Sequence, residues 1–426
     1  MKARPERIPV HPTIRSPWMH VAQAAAALAA GMGVGRFVYT PILPLMTAQA
    51  GLSAEAGANV ATANYVGYLV GALIGILAPG LVRFPAANRT ALVLLVITLA
   101  GMPLTHSITV WLLLRLLAGI ASAIVFVVAV SSLLSHLRDH PIHLPGWGFS
   151  GVGAGIALSG VLVLILRSVS DWRAAWWAAA ILAAVLAAGA WTLRPELPPT
   201  PATTATSVRA PRTRRWFTAL FVSYTLEGIG YIIAGTFLVA AIDQTAPGWI
   251  GSGAWVLVGL AAAPSAVLWA WLGRRWSRPD LLLVALVVQA VGIALPTLVD
   301  GVAAALVAAF LFGATFLGIS SIALATGTHL RFPRSVALLT GGYSAGQILG
   351  PLVVTPLLHH GYHQALLLGA VVVAVAALGA GALRVGFPHH APDEQRLRTA
   401  VMPHPTSQHT GSIDSDHLIR SLPARR

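Results

Sequence analysis

The 426-residue sequence has no cysteine, and charged residues make up only 9% of the chain. The lack of cysteine excludes disulfides, thiolate catalysis and cysteine-ligated metal or iron–sulfur sites. A soluble domain carries roughly 25% charged residues, so this chain lacks the polar surface that a soluble protein of its length needs. Hydrophobic residues make up 56% of it instead, and we expect lipid to cover much of its surface.

Acidic residues are also scarce, because 13 Asp and Glu stand against 27 Lys and Arg, and the formal net charge is +14. A nucleic-acid-binding domain clusters its basic residues on one soluble face. Here they fall almost entirely between apolar runs, so we predict no nucleic-acid partner. We also predict no metal and no cofactor, since the histidines of the C-terminal tail lack a metal-ligand spacing. These histidines are His389, His390, His404, His409 and His417.

Long apolar segments are what the sequence has in abundance. A membrane-crossing helix needs about 20 mostly apolar residues, and we identify twelve such segments, which we number as spans 1 to 12. The predicted fold class is therefore an all-α membrane protein. The predicted bounds are 18–46, 57–80, 88–105, 107–135, 145–167, 172–194, 216–242, 251–273, 279–299, 301–330, 334–358 and 362–385.

The arginines predict the orientation of the spans. Most of them fall in loops on one side of the membrane, and the opposite loops hold only Arg167 and Arg173. By the positive-inside rule, both termini are then cytoplasmic and the protein lies in a bacterial inner (plasma) membrane. The predicted segments are an N-terminal tail 1–17, a first half 18–194, a Pro- and Thr-rich linker 195–215, a second half 216–386 and a disordered tail 387–426.

The two halves share glycine patterns at an offset of 195 positions. Gly33 to Phe37 in span 1 aligns with Gly228 to Ile232 in span 7. In spans 5 and 11, the aligned pairs are Gly151 and Gly155 with Gly346 and Gly350. Parallel repeats of this kind enclose a cavity between them, so we expect two pseudo-symmetric six-helix bundles.

Three ionisable side chains lie well inside predicted spans: Arg36, Arg115 and Glu227. Such residues are expensive to insert and mark functional sites by default. An arginine offers a planar fork for a carboxylate or phosphate, and a buried carboxyl group can load and release a proton. We predict that Arg36 binds a solute and that Glu227 carries a proton, while Arg115 has either a structural or coupling role or a contact with the solute. Alternatively, one of the arginines forms a structural ion pair with Glu227.

Further polar and aromatic side chains share these spans or their neighbours. We predict that they line a substrate site, with hydrogen bonding between helices as the alternative. They are Tyr39, Asn64, Tyr65, Tyr224, Tyr231 and Gln347. Small residues and one proline are assigned to close helix packing or to bending during gating. They are Gly35, Gly119, Gly151, Gly155, Gly346, Gly350 and Pro351.

Four segments resemble the signatures of the YbfB/YjiJ-type transporters of the major facilitator superfamily (MFS). They are GMGVGRFVYTPILPLM (31–46), LEGIGYIIAGTFLVA (226–240), LFGATFLGISS (311–321) and GGYSAGQILGP (341–351). The resemblance implies the MFS fold, with spans 1, 4, 7 and 10 around a central cavity. RLLAG (115–119) resembles the arginine–glycine motif of proton-coupled relatives, which implies a coupling role for Arg115 and Gly119. The loop ILAPGLVRFPAANR lacks the acidic residue usual in the superfamily, and the Gly-Pro pair lies in span 11 rather than span 5.

These observations predict a secondary transporter with two bundles around buried charges that moves a small organic solute together with protons. A multidrug exporter and an uncoupled facilitator stay open as alternatives, and a non-transporting receptor is a distant one. An enzyme is not predicted, because the histidines near the spans lie at their ends. We expect a monomer in the lipid bilayer.

Overall fold

The computed structural model describes residues 17–137, 144–193, 213–246 and 248–388. Every regular element within these ranges is a helix, and the described residues up to Phe387 form one compact unit. The predicted linker and both predicted tails fall mostly outside the described residues, as do the tail histidines.

Twelve helices in the described part of the chain are long and apolar enough to cross a membrane. The predicted fold class is confirmed. The observed spans 1 to 12 are Pro17–Ala50, Ala54–Leu77, Ala86–Leu104, Ile108–His136, Leu144–Leu166, Trp172–Gly189, Arg214–Thr245, Ile250–Leu272, Arg278–Leu298, Val302–His329, Ser335–His359 and Tyr362–Leu383. Since successive spans run in opposite directions, span 1 begins and span 12 ends on the same face. We call this the terminal face and the opposite one the far face.

Spans 1 and 7 form the centre of the protein. In each, 83% of the most apolar 18-residue stretch is buried, against 39–56% in the other ten spans. The ten outer spans expose large apolar side chains such as Ile97, Ile181 and Leu378, which suits contact with lipid. The two central helices are therefore the ones whose polar side chains are shielded from lipid on all sides.

The backbone of span 1 is interrupted at its middle. An α-helix over Pro17–Leu28 becomes a π-helix over Ala29–Val34, and a second α-helix begins at Tyr39 and ends at Ala50. Glycine has a low helix propensity, and three glycines lie in or beside the interruption. The interruption leaves carbonyl groups that need other partners. Span 7 is a single helix over Arg214–Thr245.

Glycines bring the helices of each half into backbone contact. A Cβ atom on Gly155 of span 5 would lie 2.8 Å from the Cα atom of Ala29 in span 1. A Cβ on Gly350 of span 11 would lie 2.8 Å from the carbonyl oxygen of Ile229 in span 7. Gly151 and Gly346 lie one turn earlier against the same two central helices. Pro351 is buried beside Gly350, and the α-helical part of span 11 ends at Val354.

Two glutamines at equivalent positions extend the internal repeat. Oε1 of Gln49 accepts a hydrogen bond of 2.7 Å from the backbone N–H of Trp172, at the start of span 6. Oε1 of Gln244 accepts one of 3.1 Å from the N–H of Tyr362, at the start of span 12. Since these glutamines are 195 positions apart, each half uses the end of its first span to cap its last.

Candidate functional site

Arg36 lies where the two halves meet, at the interruption of span 1. Its Nη2 donates a hydrogen bond of 2.6 Å to Oε1 of Gln347 in span 11 of the second half. The guanidinium carbon lies 4.3 Å from the ring centre of Tyr68 and 5.1 Å from that of Tyr65. Such aromatic faces stabilise a cation out of water. The Nε atom has no hydrogen-bond partner in the described part of the chain, which leaves a donor for another group.

Arg115 of span 4 binds the interrupted backbone of span 1. Its Nη1 donates to the carbonyl oxygen of Gly35 and its Nη2 to that of Arg36, both at 2.9 Å. The side chain is 1% exposed. A helical residue's carbonyl is normally satisfied by an N–H four residues later, so this arginine replaces donors that the interruption removes. It fixes the peptide group that carries the Arg36 side chain.

Two other predicted site residues surround Arg115 rather than Arg36. The Nδ2 atom of Asn64 donates to the carbonyl oxygen of Arg115 at 3.0 Å. The hydroxyl of Tyr39 donates to the carbonyl oxygen of Gly57 at 2.9 Å, and its ring centre lies 5.3 Å from the guanidinium carbon of Arg115. Gly119 permits this arrangement, because a Cβ there would lie 2.8 Å from the backbone nitrogen of Tyr68.

Glu227 of span 7 is fully buried, and the structure keeps it apart from both arginines. Neither of its carboxylate oxygens has a hydrogen-bond partner among the described residues, and Gln289 of span 9 lies beside the group. The structural ion pair with Arg36 or Arg115 is therefore not formed. An amide can donate to a carboxylate and accept from a carboxylic acid, so Gln289 suits both protonation states of Glu227.

An aromatic stack joins the region of Glu227 to the region of Arg36. The ring of Tyr343 stacks on that of Tyr224 at 4.4 Å and on that of Tyr231 at 5.8 Å. Tyr231 stacks in turn on Phe316 at 5.0 Å, and Phe316 meets the edge of Phe37, next to Arg36, at 5.7 Å. The predicted residues Tyr224 and Tyr231 thus lie on the second-half side of the same central region.

The described hydrogen bonds between the halves lie from the membrane centre towards the far face. The Oγ1 atom of Thr40 donates to the carbonyl oxygen of Gly235 at 2.5 Å, and the hydroxyls of Tyr65 and Thr236 lie 2.8 Å apart. Nearer that face, Arg167 forms an ion pair of 3.3 Å with Asp243. Together these contacts join the two halves on the far side of the central region.

Sequence reasoning missed several of these residues. Gln289, Phe37 and Phe316 looked like ordinary span residues, although a lone glutamine inside a span is a polar signal that the sequence does carry. Arg167 was identified only as one of two loop arginines on the far side, and Asp243 was not singled out, because a pairing across halves has no local sequence pattern. Gly35 lies within the interruption, which the sequence did not predict, and a Cβ atom there would lie 2.5 Å from Cδ1 of Leu95 in span 3.

The comparisons with known proteins agree with this architecture. Residues 28–380 match the family described as uncharacterised MFS-type transporter YbfB. The chain belongs to this family. The solved structures that resemble the YbfB-type chain include the nucleoside transporter NupG and its D323A mutant. The mutant has a TM-score of 0.66 at 15% identity, and the other structure has 0.62 at 16%.

Each NupG match covers 86% of the YbfB-type chain and 99% of the other chain. At such identity the likeness establishes the fold and leaves the substrate open. No curated protein sequence matches the chain. The chain thus belongs to an MFS-type transporter family, and it has the fold of the solved NupG structures.

Proposed function

We propose that this protein is a secondary active transporter that moves a small organic solute across a bacterial inner membrane by alternating access, coupled to protons. The observation that carries the proposal is the placement of Arg36, whose guanidinium bonds across the two halves to Gln347. The hydrogen bond of a group at this junction depends on the relative position of the two bundles. A solute that takes the place of Gln347 as its partner changes the contact between them.

Arg36 favours a solute with an anionic group. Its free Nε and its position over Tyr65 and Tyr68 offer a charged donor beside aromatic faces. A carboxylate or phosphate accepts from such a fork through two parallel hydrogen bonds. In the proposed cycle Arg36, Gln347 and Tyr65 contact the solute, and Tyr224 and Tyr231 contact its apolar part.

Glu227 is the proposed proton carrier. A buried carboxyl group that an arginine holds stays ionised, but Glu227 faces the neutral amide of Gln289. Its protonation can therefore change during the cycle. Arg115 takes part by holding the backbone at Arg36 in place, which connects span 4 to the solute site. We propose a monomer with cytoplasmic termini as the working unit.

A thermal-shift screen tests the role of Arg36. Ligands that bind only the folded state raise its melting temperature. We expect a carboxylate or phosphate compound to raise that of the wild type by several degrees and to leave Arg36→Ala unchanged. Arg36→Lys is the matched variant, which keeps the charge and loses the fork, and it should respond weakly. Equal stabilisation of wild type and Arg36→Ala by uncharged or cationic compounds contradicts the proposal and favours a multidrug exporter.

Transport in proteoliposomes, with the compound found by that screen, tests Glu227. We expect wild-type uptake to change several-fold when a proton gradient is imposed, and Glu227→Gln uptake to be the same with and without the gradient. Gln289→Leu is the control, because it removes the neighbouring amide and keeps the titrating group, so its rate should fall while its response to the gradient stays. A full gradient response in Glu227→Gln would exclude this carboxyl as the carrier.

A further inference from the structure

We infer that an anionic phospholipid binds a groove on the outside of the first half, between spans 3 and 6. Its acyl chain lies in the groove and its phosphate binds Arg89 at the end of the groove nearest the terminal face. This site is separate from the central region and does not depend on the proposed transport cycle.

The groove is apolar and open to the lipid phase. It has a volume of about 540 Å³. Val93 and Ile97 on span 3 line it and are 43% and 58% exposed. The side of span 6 presents small residues, so the space between the two helices is not filled by protein. The lining residues are Leu92, Val93, Val96, Ile97, Ala184, Ala187, Ala188, Trp191 and Thr192.

The length of the groove suits one leaflet. Ile97 lies two turns along span 3 from Arg89, which is about 12 Å at 1.5 Å per residue. Half of the hydrocarbon core of a bilayer is about 15 Å thick. Arg89 therefore lies near the depth of the headgroups when the apolar groove lies beside the acyl chains.

Arg89 is held in place at the end of the groove. Its Nε donates to the carbonyl oxygen of Trp191 at 3.2 Å, and its guanidinium carbon lies 5.5 Å from the ring centre of Trp191. The neighbouring Asn88 is buried and donates to the carbonyl oxygen of Ala190 at 3.2 Å. The contact of Arg89 supplies a donor to a carbonyl at the end of span 6, where the last carbonyls of a helix lack intrahelical partners. The carbonyl of Ala190 accepts from the backbone N–H of Leu193 as well, at 3.1 Å.

The remaining donors of Arg89 point to the chemistry of the ligand. Its Nη atoms make no hydrogen bond with the described residues, and the side chain is exposed. A guanidinium binds phosphate through paired N–H groups, and tryptophan is favoured at the headgroup level. Basic sites between membrane helices bind anionic lipid headgroups. Charge and shape together select an anionic phospholipid over a zwitterionic one.

Binding of defined lipids to the full-length, delipidated protein tests the inference. The probes are phosphatidylglycerol and phosphatidylcholine in mixed micelles, with bound lipid counted by native mass spectrometry and the melting temperature measured in parallel. We expect phosphatidylglycerol to bind the wild type at least tenfold more tightly than phosphatidylcholine and to raise its melting temperature by several degrees. Arg89→Ala should lose this preference.

Two further variants make the result specific. Arg275→Ala removes another arginine that lies over a tryptophan, Trp271, at the end of span 8, and it should keep the preference. Ala188→Leu fills the groove and keeps Arg89, so it should weaken binding even if Arg89→Ala does not fold. The inference is overturned if Arg89→Ala binds phosphatidylglycerol like the wild type, if Arg275→Ala loses as much affinity, or if Ala188→Leu has no effect.

Discussion

Spans 1 and 7 occupy equivalent places in the two halves, yet they differ in backbone and in charge. Span 1 is interrupted between Leu28 and Tyr39 and carries Arg36 at the interruption. Span 7 is continuous, with Tyr231 at the position equivalent to Arg36 and Glu227 one turn earlier. Both are packed by a glycine pair on the fifth span of their half.

The two halves therefore share their packing contacts but differ in their buried ionisable groups. Glycine contacts and the caps formed by Gln49 and Gln244 recur in both halves, because each half must hold its six helices together. Arg36, the proposed anion-binding group, and Glu227, the proposed proton carrier, lie on opposite halves. A solute and a proton that bind different bundles can both influence the movement between them.

The largest expected difference between the halves concerns their glycine contacts. Gly155→Ala should greatly reduce the yield of folded protein, because the atoms that a Cβ meets there are all backbone atoms of Ala29 and Gly33. Gly350→Ala should cost less, about 1–3 kcal/mol, typical of overpacking, since only one of the two atoms within 3.0 Å of its Cβ is a backbone atom, the carbonyl oxygen of Ile229, and the other is a side-chain methyl of Ile232. The yield and the apparent melting temperature of the two purified variants measure this difference in stability. A lower yield or melting temperature for Gly350→Ala than for Gly155→Ala would contradict the prediction.

The next largest effect concerns the interruption of span 1. Arg115→Gln removes two hydrogen bonds to backbone carbonyls, each worth about 1.5–3 kcal/mol when the donor is charged. We expect the affinity for the screened solute to fall more than tenfold, since Arg36 loses its support. Arg115→Lys keeps one charged donor group, so its affinity for the solute should lie between those of the wild type and Arg115→Gln.

Two measurements on the same variant distinguish a positioning role of Arg115 from a general loss of stability. Arg115→Gln should lose solute affinity while its response to a proton gradient, measured at saturating solute, stays. Loss of the gradient response with normal affinity would instead assign Arg115 to proton coupling, as the family resemblance implies.

The smallest effect is expected at the ion pair between the halves. Arg167 and Asp243 are each 19% exposed, and a pair so near water contributes about 0–1 kcal/mol. Asp243→Asn should leave the melting temperature nearly unchanged but open the far face more often. Because the chain has no cysteine, a single Ala240→Cys reporter in span 7 can be labelled by a maleimide. Its labelling rate should rise a few-fold.

The control for this experiment is Asp280→Asn. Asp280 pairs with Arg384 at 2.6 Å, within the second half, so its loss should not change the labelling of the reporter. An equal rise in both variants would mean that loosening of the protein, rather than opening between the halves, exposes Ala240.

The spans were predictable because each crossing must be long and apolar to lie in lipid, and Arg36, Arg115 and Glu227 stood out because charge is rare inside them. The repeated glycines also indicated the two-half arrangement. The interruption of span 1 was not predictable, since Gly228 to Ile232 has the same glycine spacing as Gly33 to Phe37 and stays helical.

The sequence by itself thus determined the membrane class, the number of spans and which buried side chains are costly enough to matter. Only the tertiary structure decided their surroundings: Gln347 is the hydrogen-bond partner of Arg36, backbone carbonyls are those of Arg115, and Glu227 lies beside the amide of Gln289 without a hydrogen bond to the described residues. The physical reason is that apolarity is a property of each segment alone. A hydrogen bond depends on how helices distant in the chain approach one another, and small residues at their contacts set that approach.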